Sequence, residues 1–240
     1  MKKQRFLKGI KDGIPICLGY FSVSMAFGLA SVLKGLPVIA TVLMSLSNVT
    51  SAGQFAGVGI LAAGGTFVEL AITTLIINIR YFLMSLSVSQ KASPSMSLAA
   101  RFAVSFGITD EIFAVSVQQK EELTGDYMAG LILTPVIGWT LGTLTGAVAT
   151  SVMPAILTSA MGVALYGMFI AIVVPPARES KPVMFTIFLA VLMSFLFTYV
   201  PYINKLSGGW SIIIITVIVS AISATLFPIE QAKGEVAQNE

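Results

Sequence analysis

Histidine is absent from this 240-residue chain, and cysteine occurs once, at Cys17. These two scarcities exclude histidine metal sites, Ser-His-Asp and Cys-His catalysis, a disulfide framework within the chain and cysteine-ligated clusters. A proton that crosses such a molecule must travel on carboxylates. Charge is scarce as well, at 10% of residues against about 25% in an average soluble domain. No G-x-x-x-x-G-K-[ST] segment is present to cradle ATP phosphates. The tyrosine-aspartate and glycine-x-glycine-aspartate pair of intramembrane aspartyl proteases is missing too. With no nucleophile-base pair or metal cluster in view, neither an enzyme nor a bound cofactor is expected. The net charge of +3 is concentrated near the N-terminus, where anionic lipid explains it and nucleic acid does not.

Apolar length is what the chain has in quantity: 56% of residues are hydrophobic and the mean hydropathy is +0.91. No ionised side chain interrupts the stretches between Asp12 and Lys34, Lys34 and Glu69, Asp126 and Arg178, Lys181 and Lys205, or Lys205 and Glu230. About 20 apolar residues cross a bilayer. The expectation is therefore an all-α integral membrane protein with about eight transmembrane helices, or seven. Residues 1–11 form a basic cytoplasmic tail, 12–228 a single polytopic transmembrane domain, and 229–240 a short polar cytoplasmic tail expected to be disordered. The expected spans are 14–33, 37–63, 66–88, 98–117, 127–149, 152–175, 182–201 and 209–227. The first is taken as a retained helix, although Ser22-Val23-Ser24 resembles a leader-peptide cleavage site.

Eight crossings place the basic tail, Lys120, Arg178, Lys181 and Lys233 inside, and Lys34, Lys91 and Lys205 outside. The second span is too long for one straight crossing and contains Ser45, Ser47, Asn48, Thr50, Ser51, Gly53 and Gly57, so a break is expected there. Reading it as a re-entrant hairpin would invert the later loops and put Arg178, Lys181 and Lys233 outside, which favours a full crossing. Leu43-Met44-Ser45-Leu46-Ser47 recurs as Leu83-Met84-Ser85-Leu86-Ser87, a thin sign of internal duplication.

Three charges fall at bilayer depth, where each costs about 2.5–3.5 kcal/mol unless partnered or bathed in a water-lined cavity. Arg80 and Asp110 each lie fifteen residues from Ser95. If the third and fourth spans turn there, both sit about 22 Å from the turn and face one another. Glu69 and Arg101 reach opposite interfaces by the same ruler. One arginine cannot neutralise both Asp110 and Glu111, so one of these acids is expected to take up and release a coupling proton.

A second constellation, Ser51-Ala52-Gly53-Gln54-Phe55-Ala56-Gly57, follows the expected break. A half-helix starting there presents free amides to a substrate carboxylate, with Gln54 as a polar partner and Phe55 as an apolar wall. Ordinary packing through Gly53 and Gly57 is the alternative reading. Gly138, Gly142 and Gly146 form a packing ridge for a neighbouring helix, within this chain or on a partner. Trp139 is either pocket wall or core.

Ser51-Ala52-Gly53-Gln54-Phe55, Asn78-Ile79-Arg80-Tyr81 with Leu83-Met84-Ser85, and Thr109-Asp110-Glu111 together resemble the motifs of the AzlC-type branched-chain amino acid permease family. The resemblance runs from about Phe6 to Phe227. It implies a prokaryotic inner-membrane exporter of leucine, isoleucine, valine and sometimes methionine, working with a small AzlD-type membrane subunit. Members commonly carry His where this chain has Tyr81, so no imidazole role carries over. Asp110 and Glu111 remain as the titrating groups. On this resemblance, backbone amides near Gly53 together with Asn78 serve the substrate carboxylate, and Asp110 or Glu111 serves its ammonium. A membrane scaffold subunit that transports nothing, or a transporter of another small hydrophobic solute, is the alternative.

Overall fold

Helix length against bilayer thickness decides which segments cross. At about 1.5 Å per residue, roughly 20 helical residues cover the 30 Å hydrocarbon layer and ten do not. The computed structural model describes residues 2–150, 170, 173–175 and 177–228. Among the described residues, five helices are long and apolar enough to cross a membrane. They are α1 (Lys2–Leu33), α4 (Phe67–Lys91), α7 (Gly125–Ala149), α8 (Lys181–Tyr199) and α9 (Gly208–Leu226). Four shorter helices lie between them: α2 (Val38–Ser47), α3 (Ser51–Ala62), α5 (Leu98–Phe106) and α6 (Asp110–Gln118). The all-helical membrane class is as expected, whereas the count of eight straight crossings is not what the described residues contain. The expected sixth span falls almost wholly outside them, as does the polar tail 229–240. The basic segment ahead of the first expected span is itself helical, forming the opening turns of α1.

The chain divides into two compact units with a boundary at Met168. In the first, α1 and α7 form the most closely packed helix pair. A Cβ added to Gly9, Gly13 or Gly28 of α1 would land on the backbone of α7, and one on Gly130, Gly142 or Gly146 of α7 would land on α1. The ridge expected on the fifth span is thus used inside the chain, and it meets a matching row of glycines on the first.

End-to-end contacts give the path of the short helices. Ser93 N–H donates to Leu123 O and Leu123 N–H to Lys91 O, both at 2.9 Å. Lys8 donates to Gln119 Oε1 at 2.8 Å, and Lys91 donates to Val117 O at 2.7 Å and to Gln119 O. The start of α1, the end of α4, the end of α6 and the start of α7 therefore share one face. Because α5 begins just after α4 ends there, the α5–α6 pair enters from that face and returns to it. On the opposite face, four residues separate the end of α1 from the start of α2, and four separate the end of α3 from the start of α4. The α2–α3 pair is re-entrant as well, from the other side.

This corrects two expectations. The span at 98–117 is not a straight helix but two nine-residue half-helices broken at Gly107-Ile108-Thr109. The span at 37–63 is a hairpin, and Lys91 lies on the face of the basic N-terminal segment, not opposite it. One hairpin alone would invert every later loop. Two hairpins, one from each face, restore the parity, which is why counting basic loops did not detect them.

In the second unit, α8 and α9 are antiparallel, joined through a short 3-10 turn at Ile203–Lys205. Thr186 Oγ1 donates to Ser223 Oγ at 2.8 Å, linking the start of one helix to the end of the other. No residue of α8 is fully buried, and many of its apolar side chains are exposed.

Candidate functional site

Each hairpin tip is an interruption of helix at bilayer depth, tolerated only where protein or a cavity supplies partners for the freed backbone groups. In the first, Asn48 leaves α2 in an extended conformation and Thr50 stands ahead of α3. In the second, Gly107 ends α5 and Thr109 caps α6, its hydroxyl accepting from Ile112 N–H at 3.4 Å. Arg80 lies eleven residues from the end of α4, about 16 Å along the axis and so close to the midplane.

The two tips and α4 enclose a cavity of about 150 Å³ lined by Ser47, Asn48, Val49, Thr50, Asn78, Tyr81, Ser105, Phe106 and Ile108. Its volume is below the roughly 300–1,000 Å³ of drug-sized ligand sites and suits a small solute. The lining combines amide and hydroxyl groups with aliphatic and aromatic walls. Thr50 donates its hydroxyl to Asn78 Oδ1 and makes no cap bond to the first-turn amides of α3. Gly53 lies directly beneath this pair: an added Cβ would stand 2.9 Å from Thr50 Oγ1 and 3.2 Å from Asn78 Nδ2. Any larger side chain would push into the Thr50–Asn78 contact.

Beside the cavity, Arg80 forms an ion pair with Asp110 at 2.9 Å. The side chains are 49% and 42% exposed, so within the described chain the pair remains open to solute. The guanidinium also lies over the Tyr81 ring, 5.1 Å from its centroid. Glu111 takes a different partner, accepting the Tyr20 hydroxyl from α1. Tyr20 and Thr109 oxygens are 2.7 Å apart. The two adjacent acids are thereby separated, one matched by a full positive charge and the other by a neutral hydroxyl.

Gln54 and Phe55 stand behind the cavity and do not line it. Gln54 is 3% exposed. Its oxygen accepts the Trp139 indole N–H at 3.0 Å, and its nitrogen donates to Ser45 Oγ at 3.0 Å. Ser45 Oγ is in turn 2.7 Å from Thr143 Oγ1, which donates to Trp139 O at 2.9 Å. This closed polar network pins both arms of the first hairpin to α7 and places Trp139 in the core. Phe55 packs edge-on against Phe27, with centroids 5.2 Å apart. Of the expected site residues, the structure brings Gly53, Asn78, Arg80, Asp110 and Glu111 to the hairpin tips.

Sequence reasoning missed Tyr20 and Thr50. Tyr20 is one aromatic among many in an apolar stretch, and its partner lies 91 residues away. For Thr50 a signal existed, because Val49-Thr50 and Ile108-Thr109 place the same kind of dipeptide ahead of a half-helix, the usual position of a helix cap.

A family model described as AzlC protein matches residues 15–153, which include both hairpins, α4, α7 and α1 from Pro15 onward. An inner membrane protein of Escherichia coli, YgaZ, is 29% identical over 59% of this chain and 60% of its own length. An uncharacterized membrane protein of Archaeoglobus fulgidus is 27% identical over 72% of this chain and 77% of its own. A third such membrane protein, from Helicobacter pylori, is 29% identical over 61% of this chain and 66% of its own. The match thus spans about three fifths of the E. coli relative. No solved structure matches the chain.

Proposed function

The chain belongs to the AzlC family of membrane proteins, and from that membership we propose that it is a secondary transporter, not an enzyme, exporting branched-chain amino acids across a prokaryotic inner membrane. Leucine, isoleucine and valine are the substrates, with methionine as a further one, and a small AzlD-type membrane subunit is the partner. The single observation that supports this reading most is the meeting of two re-entrant hairpins, from opposite faces, at a small polar-and-apolar cavity beside a midplane ion pair. Broken helices converging near the bilayer midplane are a recurring way to build a transport site.

The chemistry of a zwitterion with an aliphatic side chain fits the lining. The first-turn amides of α3 and the Asn78 side chain suit the carboxylate, because a helix N-terminus carries partial positive charge. Asp110 or Glu111, across the cavity mouth, suits the ammonium. Val49, Phe106 and Ile108 supply walls for the branched side chain. Gln54 acts from behind, holding the first hairpin in position. The titratable pair at the second tip gives a proton gradient something to act on, without histidine. The scaffold reading draws no support from the glycine ridge, whose face is already taken up by α1.

Counterflow of labelled leucine, isoleucine, valine and methionine in proteoliposomes, with and without the small subunit, tests the proposal. Saturable exchange that responds to an imposed pH gradient is the expected result. No exchange in vesicles verified to contain both subunits would refute it.

A further inference from the structure

Two adjacent carboxyl groups at the tip of α6 face different neighbours, and counting their charges separates their roles. Asp110 has Arg80 as a counter-ion at 2.9 Å. Glu111 faces the Tyr20 hydroxyl from α1 and Asp110 on its own helix. From α4, the one nearby cation, Arg80, is engaged with Asp110 and lies over Tyr81. From α7 the neighbour of this cluster is the neutral Trp139, edge-on to Tyr20 at 5.4 Å. An ionised Glu111 therefore adds a negative charge that no cation in this cluster balances.

We propose that Glu111 is the proton-carrying group of this site and that Tyr20 is its positioning residue, switching its single hydroxyl proton between Glu111 and Thr109 as Glu111 changes charge. This assignment deepens the transporter reading, and the hydrogen-bonding capacity of Glu111, Tyr20 and Thr109 explains how the proton is held. A carboxylate only accepts, so an ionised Glu111 takes the Tyr20 proton, and Thr109 donates its own hydroxyl to the Tyr20 oxygen. When a proton from solution binds the Glu111 carboxylate, the resulting acid donates to Tyr20, and Tyr20 donates to Thr109 Oγ1 at 2.7 Å. No heavy atom moves and the proton count balances. What changes is the Thr109 hydroxyl, which is released from Tyr20 while its oxygen still caps α6 through Ile112 N–H.

Tyr20 is placed to link this change to the opposite hairpin. Its ring edge meets Trp139, whose indole N–H holds Gln54 of α3 at 3.0 Å. One aromatic contact thus connects the proton-binding tip to the tip that carries the first-turn amides of α3.

The test is infrared difference spectroscopy of the full chain in lipid, titrated with pH and read at the carboxylic acid carbonyl band, which needs no transport to be observed. The titrating band should vanish in Glu111→Gln and persist in Asp110→Asn. In Tyr20→Phe, which keeps the ring on Trp139, its midpoint should rise by about one pH unit, the size of one lost hydrogen bond to a charged group. Trp139→Phe, which keeps an aromatic edge and removes the bond to Gln54, should leave the midpoint in place. If Glu111→Gln does not fold, Glu111→Asp substitutes. Its shorter side chain falls out of reach of Tyr20, so adding Tyr20→Phe should cause no further shift. A band lost in Asp110→Asn, one surviving in Glu111→Gln, or a midpoint indifferent to Tyr20→Phe would overturn the proposal. Failure of counterflow alone would overturn the transporter reading and leave the proton assignment standing.

Discussion

The two hairpins share a plan and differ in how their tips are stabilised. Each follows a crossing helix that ends near a lysine, breaks at a β-branched residue followed by threonine, and resumes as a half-helix pointing back to its own face. At the first tip the threonine hydroxyl bonds to Asn78, and the next residues are Ser51 and Ala52. At the second, the threonine caps its own helix and two acids follow. In the first hairpin α3 buries Gln54, Val58 and Ile60, and in the second α5 buries Val104 while α6 buries Ile112 and Ser116. One tip is neutral, and its threonine turns to Asn78 and does not cap its own helix. The other is charged and capped, with Ile108 and Thr109 buried at its break. The same backbone device thus yields a fixed dipolar half-site and a titratable half-site facing it.

The comparison breaks most visibly at the charged tip. Arg80→Leu should leave Asp110 uncompensated at bilayer depth, a cost of about 2.5–3.5 kcal/mol, read as loss of folded protein from membranes. Adding Asp110→Asn should restore the yield without restoring gradient-driven flux. At the neutral tip, Gln54→Leu should orphan the Trp139 N–H and the Ser45 hydroxyl bond, lowering stability by about 1–3 kcal/mol in thermal unfolding. Coupling of any remaining flux to the pH gradient should weaken, because the contact from Tyr20 through Trp139 then ends short of α3.

Matched substitutions at the two threonines sharpen the contrast. Thr109→Val removes a cap and should cost about 1 kcal/mol of stability. Thr50→Val removes the Asn78 contact, not a cap, and should raise the substrate concentration for half-maximal flux several-fold with little change in unfolding. The smallest effect is expected at the hairpin bases. Lys91→Met frees the carbonyls of Val117 and Gln119 and should cost roughly 0.5–1 kcal/mol. Lys34→Met at the other base should leave the melting temperature unchanged.

Class, apolar spans and the Arg80–Asp110 encounter were legible because charge and length leave few options in a bilayer. The ruler that placed those two residues together assumed a straight fourth span. It succeeded because both lie near mid-depth on neighbouring elements that share a turn. The first break could be read from its Ser, Asn and Gly content. The second has one glycine, and Thr109-Asp110-Glu111, a helix start by its cap and its acidic first turn, stood out instead as a cluster of charges. Gln54 was assigned to the pathway because a polar residue in a span suggests a ligand. Its true neighbours, Ser45, Trp139 and Thr143, come from three different segments, a closure that sequence spacing does not reveal.

The glycine seam between α1 and α7 also sets a schedule for biogenesis. The end of α7 lies about 115 residues beyond that of α1, so at about 5–20 residues per second roughly 6–23 s of translation separate the two halves of the seam. During that interval the notched face of α1 stands open in the bilayer, where small-residue faces of other nascent helices offer rival pairings. Both hairpins are already made when α7 arrives, and its docking on α1 also forms the bonds to Gln54 and Ser45. Helix α7 therefore acts as the latch, and a chain truncated before Gly125 would lack the partners of the Gln54 and Ser45 bonds.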